Sequence, residues 1–326
     1  MKETEYAYAV AYTRTLENRM LIKADYEALL NAHALEEALR YLSDKGYGGN
    51  EKKDRSISEE NLLKDELAFI WNEVRSACPK NAPIDVILYQ NDFHNLKTIL
   101  KAVFSGMDYK PLMLEPCTVS PDTIYRAIAD GKPENLPAFF KQTASEAYHS
   151  LSRDGDGQHM ETVLDKAFFS LMTEIAKRSE SDFFIGWVDL NIALMDMHIA
   201  LRGAYRSKDR AVLRDSMLEC KRINADYLAD AAARDVSAVL QALTQSGFEE
   251  AAKAAQESAG AFDKWCDNAL IRYLQSVRHS VFGFEPIFAF LIGKQYEMQG
   301  VRIILSGIKI GIPPEVLRGR LRDSYV

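Results

Sequence analysis

Apolar residues recur along most of the chain with the spacing of an amphipathic α-helix. After Lys23, for example, Tyr26, Leu29 and Leu30 fall at positions i, i+3 and i+4, which places them on one face of a helix. A second stripe of leucines follows and stops at Gly46, a residue type that often ends helices. Similar patterns predict helices over residues 5–19, 61–77, 120–128, 135–151, 160–178, 208–244 and 249–258.

Signals for β-strands are weak. No stretch alternates β-branched and polar residues between turn signals, and the most strand-like segment, "VRIIL" at 301–305, also fits a helix. Val301, Ile304, Leu305 and Ile308 lie at i, i+3, i+4 and i+7. The chain has only 17 glycines and 10 prolines in 326 residues, which favours long helices over hairpins. These patterns predict an all-α fold.

Composition narrows the class of protein. The net charge of −7 disfavours nucleic-acid binding, which needs a clustered basic face. The N-terminus carries acids where a secretory signal would be basic and then apolar. The best apolar stretch, 281–292, contains Glu285 and Pro286 and is too short to span a bilayer, so we expect a buried helix there. Four scattered cysteines favour reduced thiols. We therefore expect a cytoplasmic protein.

Three short blocks repeat along the chain. They read "NLKTILK" at 95–101, "DMHIALR" at 196–202 and "GVRIILS" at 300–306, and their starts lie 101 and 104 residues apart. An acid, Asp65, Asp165 or Asp263, precedes each block. A common period near one third of the chain predicts three helical bundles of domain size. The approximate boundaries are 1–115, 116–215 and 216–326. Three such units related by rotation would enclose a central axis.

Motifs for catalysis or ligand binding fail on spacing. "DGDGQH" at 154–159 resembles an EF-hand loop, but that loop needs Gly at position six and Glu at position twelve, where this chain has His159 and Asp165. "SGIKIG" at 306–311 matches neither a P-loop nor a dinucleotide fingerprint. The six histidines form no HxxxH or HExxH pair. The sequence therefore predicts no catalytic residue, no metal and no cofactor.

Three cations occupy one equivalent position in the repeated blocks. Lys97, His198 and Arg302 each follow an apolar residue. In a structural interpretation, each points along a bundle interior and pairs with a carboxylate, for which Asp92 and Glu297 are candidates. In a functional interpretation, the three cations line a face that contacts a partner. The sequence leaves both interpretations open.

The C-terminal segment 282–326 closely resembles the end of the C subunit of bacterial and archaeal V/A-type ATPases, whose eukaryotic relative is the d subunit of the vacuolar ATPase. The N-terminal third is similar too, whereas the middle block departs from the Asn-Ile-Lys-like family pattern at His198. The residues that carry the resemblance are Tyr8, Arg14, Glu17, 26–30, 47–48, 285–286, Glu297, 302–304, Gly307, 314–318 and 322–326.

The resemblance implies a non-catalytic rotor part. Members of this family are funnel-shaped, with three helical bundles in pseudo-threefold arrangement. They sit on the cytoplasmic face of the membrane proteolipid ring and receive the foot of the central shaft, built from the D and F subunits. Torque passes through this adaptor between shaft and ring. The implied location is cytoplasmic and peripheral to the membrane, without a nucleic-acid or small-molecule partner.

The turns that follow the repeated blocks are candidate contact sites within this hypothesis. They cover residues 105–109, 205–208 and 307–311, and each follows one of the repeated blocks. Charges in such positions set register and orientation more than affinity. The candidate partner-contacting residues are Lys97, Lys208, Arg302 and Lys309.

Two other classes of protein remain as alternatives. A generic all-α scaffold would stack units of roughly 30–45 residues, which the period near 100 residues disfavours. An all-α enzyme would need a metal or acid–base cluster, and the sequence contains no recognisable motif for one.

Overall fold

The computed structural model describes residues 3–49 and 58–326, and over these ranges the chain forms helices and no strands. The predicted all-α fold is confirmed. The helices are α1 (Ala7–Glu17), α2 (Lys23–Leu30), α3 (Leu35–Asp44), α4 (Glu59–Ala77), α5 (Tyr89–Ser105), α6 (Pro121–Ala129), α7 (Ala138–His149), α8 (Gly157–Ser179), α9 (Asp182–Tyr205), α10 (Arg210–Ser216), α11 (Ala225–Arg234), α12 (Val236–Gln245), α13 (Glu249–Glu257), α14 (Ala259–Gln275), α15 (Glu285–Lys309) and α16 (Pro314–Arg320).

The chain divides into two compact units. Unit 1 joins the N-terminal segment, up to residue 82, with residues 249–326, and unit 2 contains residues 83–248. The first and last helices of the chain therefore share one unit. The division into three bundles near 115 and 215, and their pseudo-threefold arrangement, stay predictions.

The core of unit 1 is built around α15. Pro286 lies in its first turn, where a missing backbone N–H costs nothing. Residues 287–291 are at most 2% exposed, so the apolar stretch near 281–292 is largely a buried helix, as its sequence predicts. Further along, Val301, Ile304 and Leu305 join leucines of α2, α3 and α4 in one cluster. Burying each such side chain stabilises the fold by about 1.5–3 kcal/mol.

The core of unit 2 contains a group of aromatic rings. Phe93 of α5 lies edge-on to Phe140 of α7 and to Phe168 of α8, with ring centroids 5.0 and 5.5 Å apart. Leu96 and Ile99 of α5 are fully buried in the same cluster. The second long helix of the unit, α9, packs against α8, α10, α11 and α12.

The segment 208–244 is three helices rather than the single helical run that its sequence suggested. Side chains at the breaks start new helices: Asn224 accepts the backbone N–H of Tyr227 (2.8 Å), and Asp235 accepts that of Ala238 (2.8 Å). Such caps replace hydrogen bonds that the first turn of a helix lacks. The helices α10, α11 and α12 all contribute buried side chains. Apolar residues therefore recur through the whole segment, and their pattern alone does not show the breaks.

One helix of the described residues, α9, is long and apolar enough to cross a bilayer by length and composition. This helix, and not the stretch at 281–292, is therefore the better candidate on those criteria. Yet 56% of its most apolar stretch is buried inside the protein. Core helices pass the same test, so a single such helix is weak evidence for a membrane span.

Candidate interaction surfaces

A residue with positive φ follows the end of each of the long helices α5, α9 and α15, directly after α5 and two residues after α9 and α15. Gly106, Ser207 and Gly311 all have positive φ angles, of 74°, 48° and 73°, and each lies eleven residues after the start of its repeated block. Glycine adopts this left-handed conformation without strain, whereas Ser207 does so at a cost. The three predicted contact turns are thus helix ends of one kind, as the block register suggests.

The ends of α9 and α15 share a second feature, which is close packing of the next short helix. A Cβ atom on Gly203 would lie 2.2 Å from Leu213 Cδ2, and one on Gly307 would lie 2.3 Å from Leu317 Cδ2. In both cases the leucine follows the glycine by ten residues. These glycines let α10 and α16 turn back onto the helix that precedes them, which fixes the intervening turn.

The lysines of these two turns differ in their contacts. Lys208 is half-buried, and its Nζ donates to Gln158 Oε1 at 2.6 Å. Lys309 is the last residue of α15 and is exposed, and within the described residues its side chain makes no hydrogen bond or ion pair. Of the two, Lys309 is therefore the more available to a partner.

Apolar side chains also stand exposed at these helix ends. Ile310 is 73% exposed, Tyr205 70% and Met107 58%, and Phe104 is partly exposed as well. Sequence analysis missed them because it singled out only the cations of the turns. An available signal was the large apolar residue within two positions of each left-handed residue. Aromatic residues and methionine are enriched at protein–protein contact surfaces.

The cations inside the repeated blocks do not form the predicted pairs. Lys97 Nζ lies 2.6 Å from Asp165 Oδ1 of α8, so Asp92 is not its partner. Asp92 instead accepts hydrogen bonds from Thr118 and from the backbone of the following residue. Lys97 and Asp165 are 25% and 48% exposed, so water screens their attraction.

Glu297 likewise pairs elsewhere than predicted, and Arg302 is exposed. Arg302 lines an open cleft of about 1140 Å³ in unit 1, between α14, α15 and α16. Lys264 donates to the Gly319 carbonyl there (3.0 Å), and Arg322 pairs with Asp267 (2.7 Å). The cleft has a basic lining, and sequence analysis missed it because its charges come from distant segments. The charged lining residues are Glu257, Asp263, Lys264, Arg272, Arg302, Arg320 and Arg322.

A buried group of charges lies in the core of unit 1. Lys294 is 1% exposed, and its Nζ lies 2.7 Å from Glu66 Oε1 and 2.6 Å from Glu297 Oε1. Tyr47 also donates to Glu297, and the backbone N–H of Leu21 donates to its other oxygen at 2.6 Å. Burial alone would lower the pKa of Lys294, but the two carboxylates raise it above its ordinary value.

The segment 154–159 begins a helix. Asp156 Oδ1 accepts the backbone N–H of His159 at 2.8 Å and so caps α8. Across residues 3–49 and 58–326, no group of three or more His, Cys, Asp or Glu side chains could hold a metal ion.

Comparison with known proteins decides the family. The family model "ATP synthase (C/AC39) subunit" matches residues 9–320. The chain belongs to this family. It is 23% identical to the C subunit of the A-type ATP synthase from Methanocaldococcus jannaschii, in an alignment that covers 97% of this chain and 86% of that protein.

Two further C subunits align over much of the chain. Identity to the C subunit of the V-type sodium ATPase from Enterococcus hirae is 19%, over 81% of each protein. Identity to the C subunit of the V-type ATP synthase from Deinococcus radiodurans is 22%, over 96% of this chain and 90% of that protein. The resemblance seen at both ends of the sequence is thereby confirmed, and the alignments cover nearly the whole chain.

Proposed function

We propose that this C-family chain is a non-catalytic rotor subunit of a V/A-type rotary ATPase. In this role it is a socket that couples the central shaft, built from the D and F subunits, to the membrane proteolipid ring. It works at the cytoplasmic face, as a peripheral part of the membrane complex, in ATP-driven ion transport or ATP synthesis. The observation that carries the proposal is the family match across residues 9–320.

The helix ends support a mechanical role. Torque transfer needs contacts that hold register under load, and packed helix ends meet that need better than mobile loops. The turns after α9 and α15 are held by leucines packed on Gly203 and Gly307. Each turn presents an exposed apolar side chain, Tyr205 or Ile310, close to a lysine. We propose that these turns contact the shaft or the ring.

The role of the four cations follows from their contacts. Lys309 and Arg302 are exposed and are the stronger candidates for partner contacts. Lys208 and Lys97 are engaged within unit 2, by Gln158 and Asp165, and would have to exchange these partners. We also propose that the three bundles predicted at 1–115, 116–215 and 216–326 surround the shaft. A generic scaffold has no comparable support.

Charge reversal tests the contact turns. We expect Lys309→Glu to weaken binding of the full chain to the purified D–F shaft or to the detergent-solubilised ring roughly tenfold, which is about 1.4 kcal/mol. Lys208→Glu should have a smaller effect because Lys208 already has a partner. The matched control is Lys253→Glu, an exposed lysine of α13. Binding that both reversals leave unchanged, in both assays, would contradict the assignment of the turns.

A further inference from the structure

Two long helices of unit 2 hold a neighbouring connector by an interior polar side chain. Asn95 of α5 uses both ends of its amide on one residue: its Nδ2 donates to the Leu114 carbonyl (2.9 Å), and its Oδ1 accepts the Leu114 N–H (2.8 Å). Asp196 of α9 begins the second repeated block, as Asn95 begins the first. Its Oδ1 accepts the backbone N–H of Leu218 at 3.2 Å.

The two sites differ in the second side-chain atom. Asp196 is completely buried, and among the described residues its Oδ2 is the buried side-chain atom without a hydrogen-bond partner. The corresponding atom of Asn95 is the donating Nδ2. An ionised oxygen without a partner in a buried site costs several kcal/mol. A proton on Oδ2 removes that charge and makes the atom a donor, as Nδ2 is in Asn95.

The surroundings of Asp196 favour the neutral acid. Burial raises the pKa of Asp196 to about 7, against the lowering effects of the Leu218 N–H and of Arg214. Glu219 raises it further, and the Cys220 thiol also faces this carboxyl. Arg214 is a weak counter-charge because Glu219 and Asp226 already bind it.

The other elements packed on α9 add little charge at this site. On α8, Lys166 is bound to Asp215, and α12 contains no ionisable side chain. On α11, Asp226 and Asp230 are both bound to Arg210. Among the described residues, Arg214 is thus the cation that lowers the pKa of Asp196, and Glu219 and Asp226 already bind it.

We propose that Asp196 is a pH-sensitive latch: as a neutral acid it holds the connector 217–224 to α9, as Asn95 holds the Leu114 segment to α5, and its ionisation loosens that connector. Asn95 Nδ2 donates to the carbonyl of Leu114. By the same geometry, the protonated Oδ2 of Asp196 would donate to the carbonyl of Leu218. The far end of the connector stays attached in either state, because the Lys221 N–H donates to Asp189 Oδ1 (2.6 Å) and Arg222 lies beside the same carboxyl.

The sign of the pH effect follows from proton uptake. The folded pKa of Asp196 is above the unfolded value, so the folded protein binds more protons between about pH 4 and pH 7. The contribution of the neutral acid to stability is complete below the unfolded pKa. It is lost as the pH rises through the folded pKa of about 7. One such group changes the unfolding constant by at most about tenfold per pH unit in this window.

The test compares the full chain with Asp196→Asn, whose amide imitates the neutral acid. Urea unfolding is measured from pH 5 to pH 8.5. We expect the ratio of the wild-type unfolding constant to that of the variant to rise by at least tenfold between pH 5 and pH 7.5. Above pH 7.5 this ratio should stay constant. Parallel pH profiles of the two proteins would overturn the proposal. The matched control is Asp92→Asn. Burial raises the pKa of Asp92 as well, but both of its oxygens accept N–H or O–H donors, so its pH effect should be smaller than that of Asp196.

Hydrogen exchange on the wild-type protein keeps the test decisive if the variant fails to fold. Protection of the Leu218 amide, corrected for the intrinsic pH dependence of exchange, should fall through pH 7. Protection of the Leu114 amide should not, because Asn95 does not titrate. Equal pH dependence at these two amides would overturn the latch. The inference does not depend on the proposed function, since binding to shaft or ring enters neither measurement.

Discussion

The long helices α9 and α15 have matching ends but different interiors. Both place a glycine under a leucine of the next short helix, ten residues further on. In its interior, α15 buries Lys294 between two carboxylates, whereas α9 buries Asp196 with one oxygen unpartnered. The shared ends keep the turn in place in both units. The two interiors thus contrast a buried charge that is paired with a buried carboxyl that has one oxygen unpartnered.

The largest expected effect is loss of the buried cation of α15. Lys294→Met should destabilise the protein by about 3–5 kcal/mol, because Glu66 and Glu297 would remain buried without their counter-charge. Urea unfolding at pH 7 measures this change.

The control for Lys294 is the half-exposed pair in unit 2. Lys97→Met removes a cation from Asp165, but water and salt already weaken this attraction, and the loss should stay below about 1 kcal/mol. If the two substitutions cost the same, burial is not what distinguishes the two pairs, and the contrast between the helix interiors fails.

The next largest effect concerns the shared helix ends. Gly307→Ala would place a Cβ atom 2.3 Å from Leu317 Cδ2, and such overpacking costs about 1–3 kcal/mol. Gly203→Ala should cost a similar amount, since its Cβ would meet Leu213 at 2.2 Å. Thermal or urea unfolding of both variants measures how alike the ends are.

The control for the glycines is Gly260 of α14. A Cβ atom there meets nothing within 4 Å, so Gly260→Ala should not destabilise the protein. A destabilisation at only one of Gly203 and Gly307 would contradict the equivalence of the two helix ends.

Local patterns predicted the helices well. Apolar spacing and scarce glycine were sufficient for the all-α fold and for the buried stretch at the start of α15. The prediction of one helix over 208–244 was wrong. Buried apolar residues occur on both sides of the caps at Asn224 and Asp235, so the apolar pattern did not reveal the breaks. The turns after the repeated blocks were well placed, since glycines at Gly106 and Gly311 mark helix ends.

Long-range pairings were beyond the sequence. The partners of Lys294 come from α4 and from within α15, and Tyr47 joins them from the loop after α3. No spacing rule connects Lys294 with Glu66 or Tyr47, whereas Glu297 follows Lys294 by three residues, a spacing at which side chains pair on a helix. For the same reason Lys97 was assigned a neighbour on its own helix, although its partner is Asp165 of α8. Asp165 is one of the acids that precede the repeated blocks, but nothing in that pattern marks it as the partner of Lys97.

The most direct test of the rotor-socket proposal is isolation of the intact complex through a tag on this chain, followed by cross-linking and mass spectrometry. The account predicts that the D and F subunits and the proteolipid are recovered together. It also predicts that Lys309, at the end of α15, cross-links to the shaft or the ring. Recovery of the chain with neither shaft nor proteolipid would contradict the proposal.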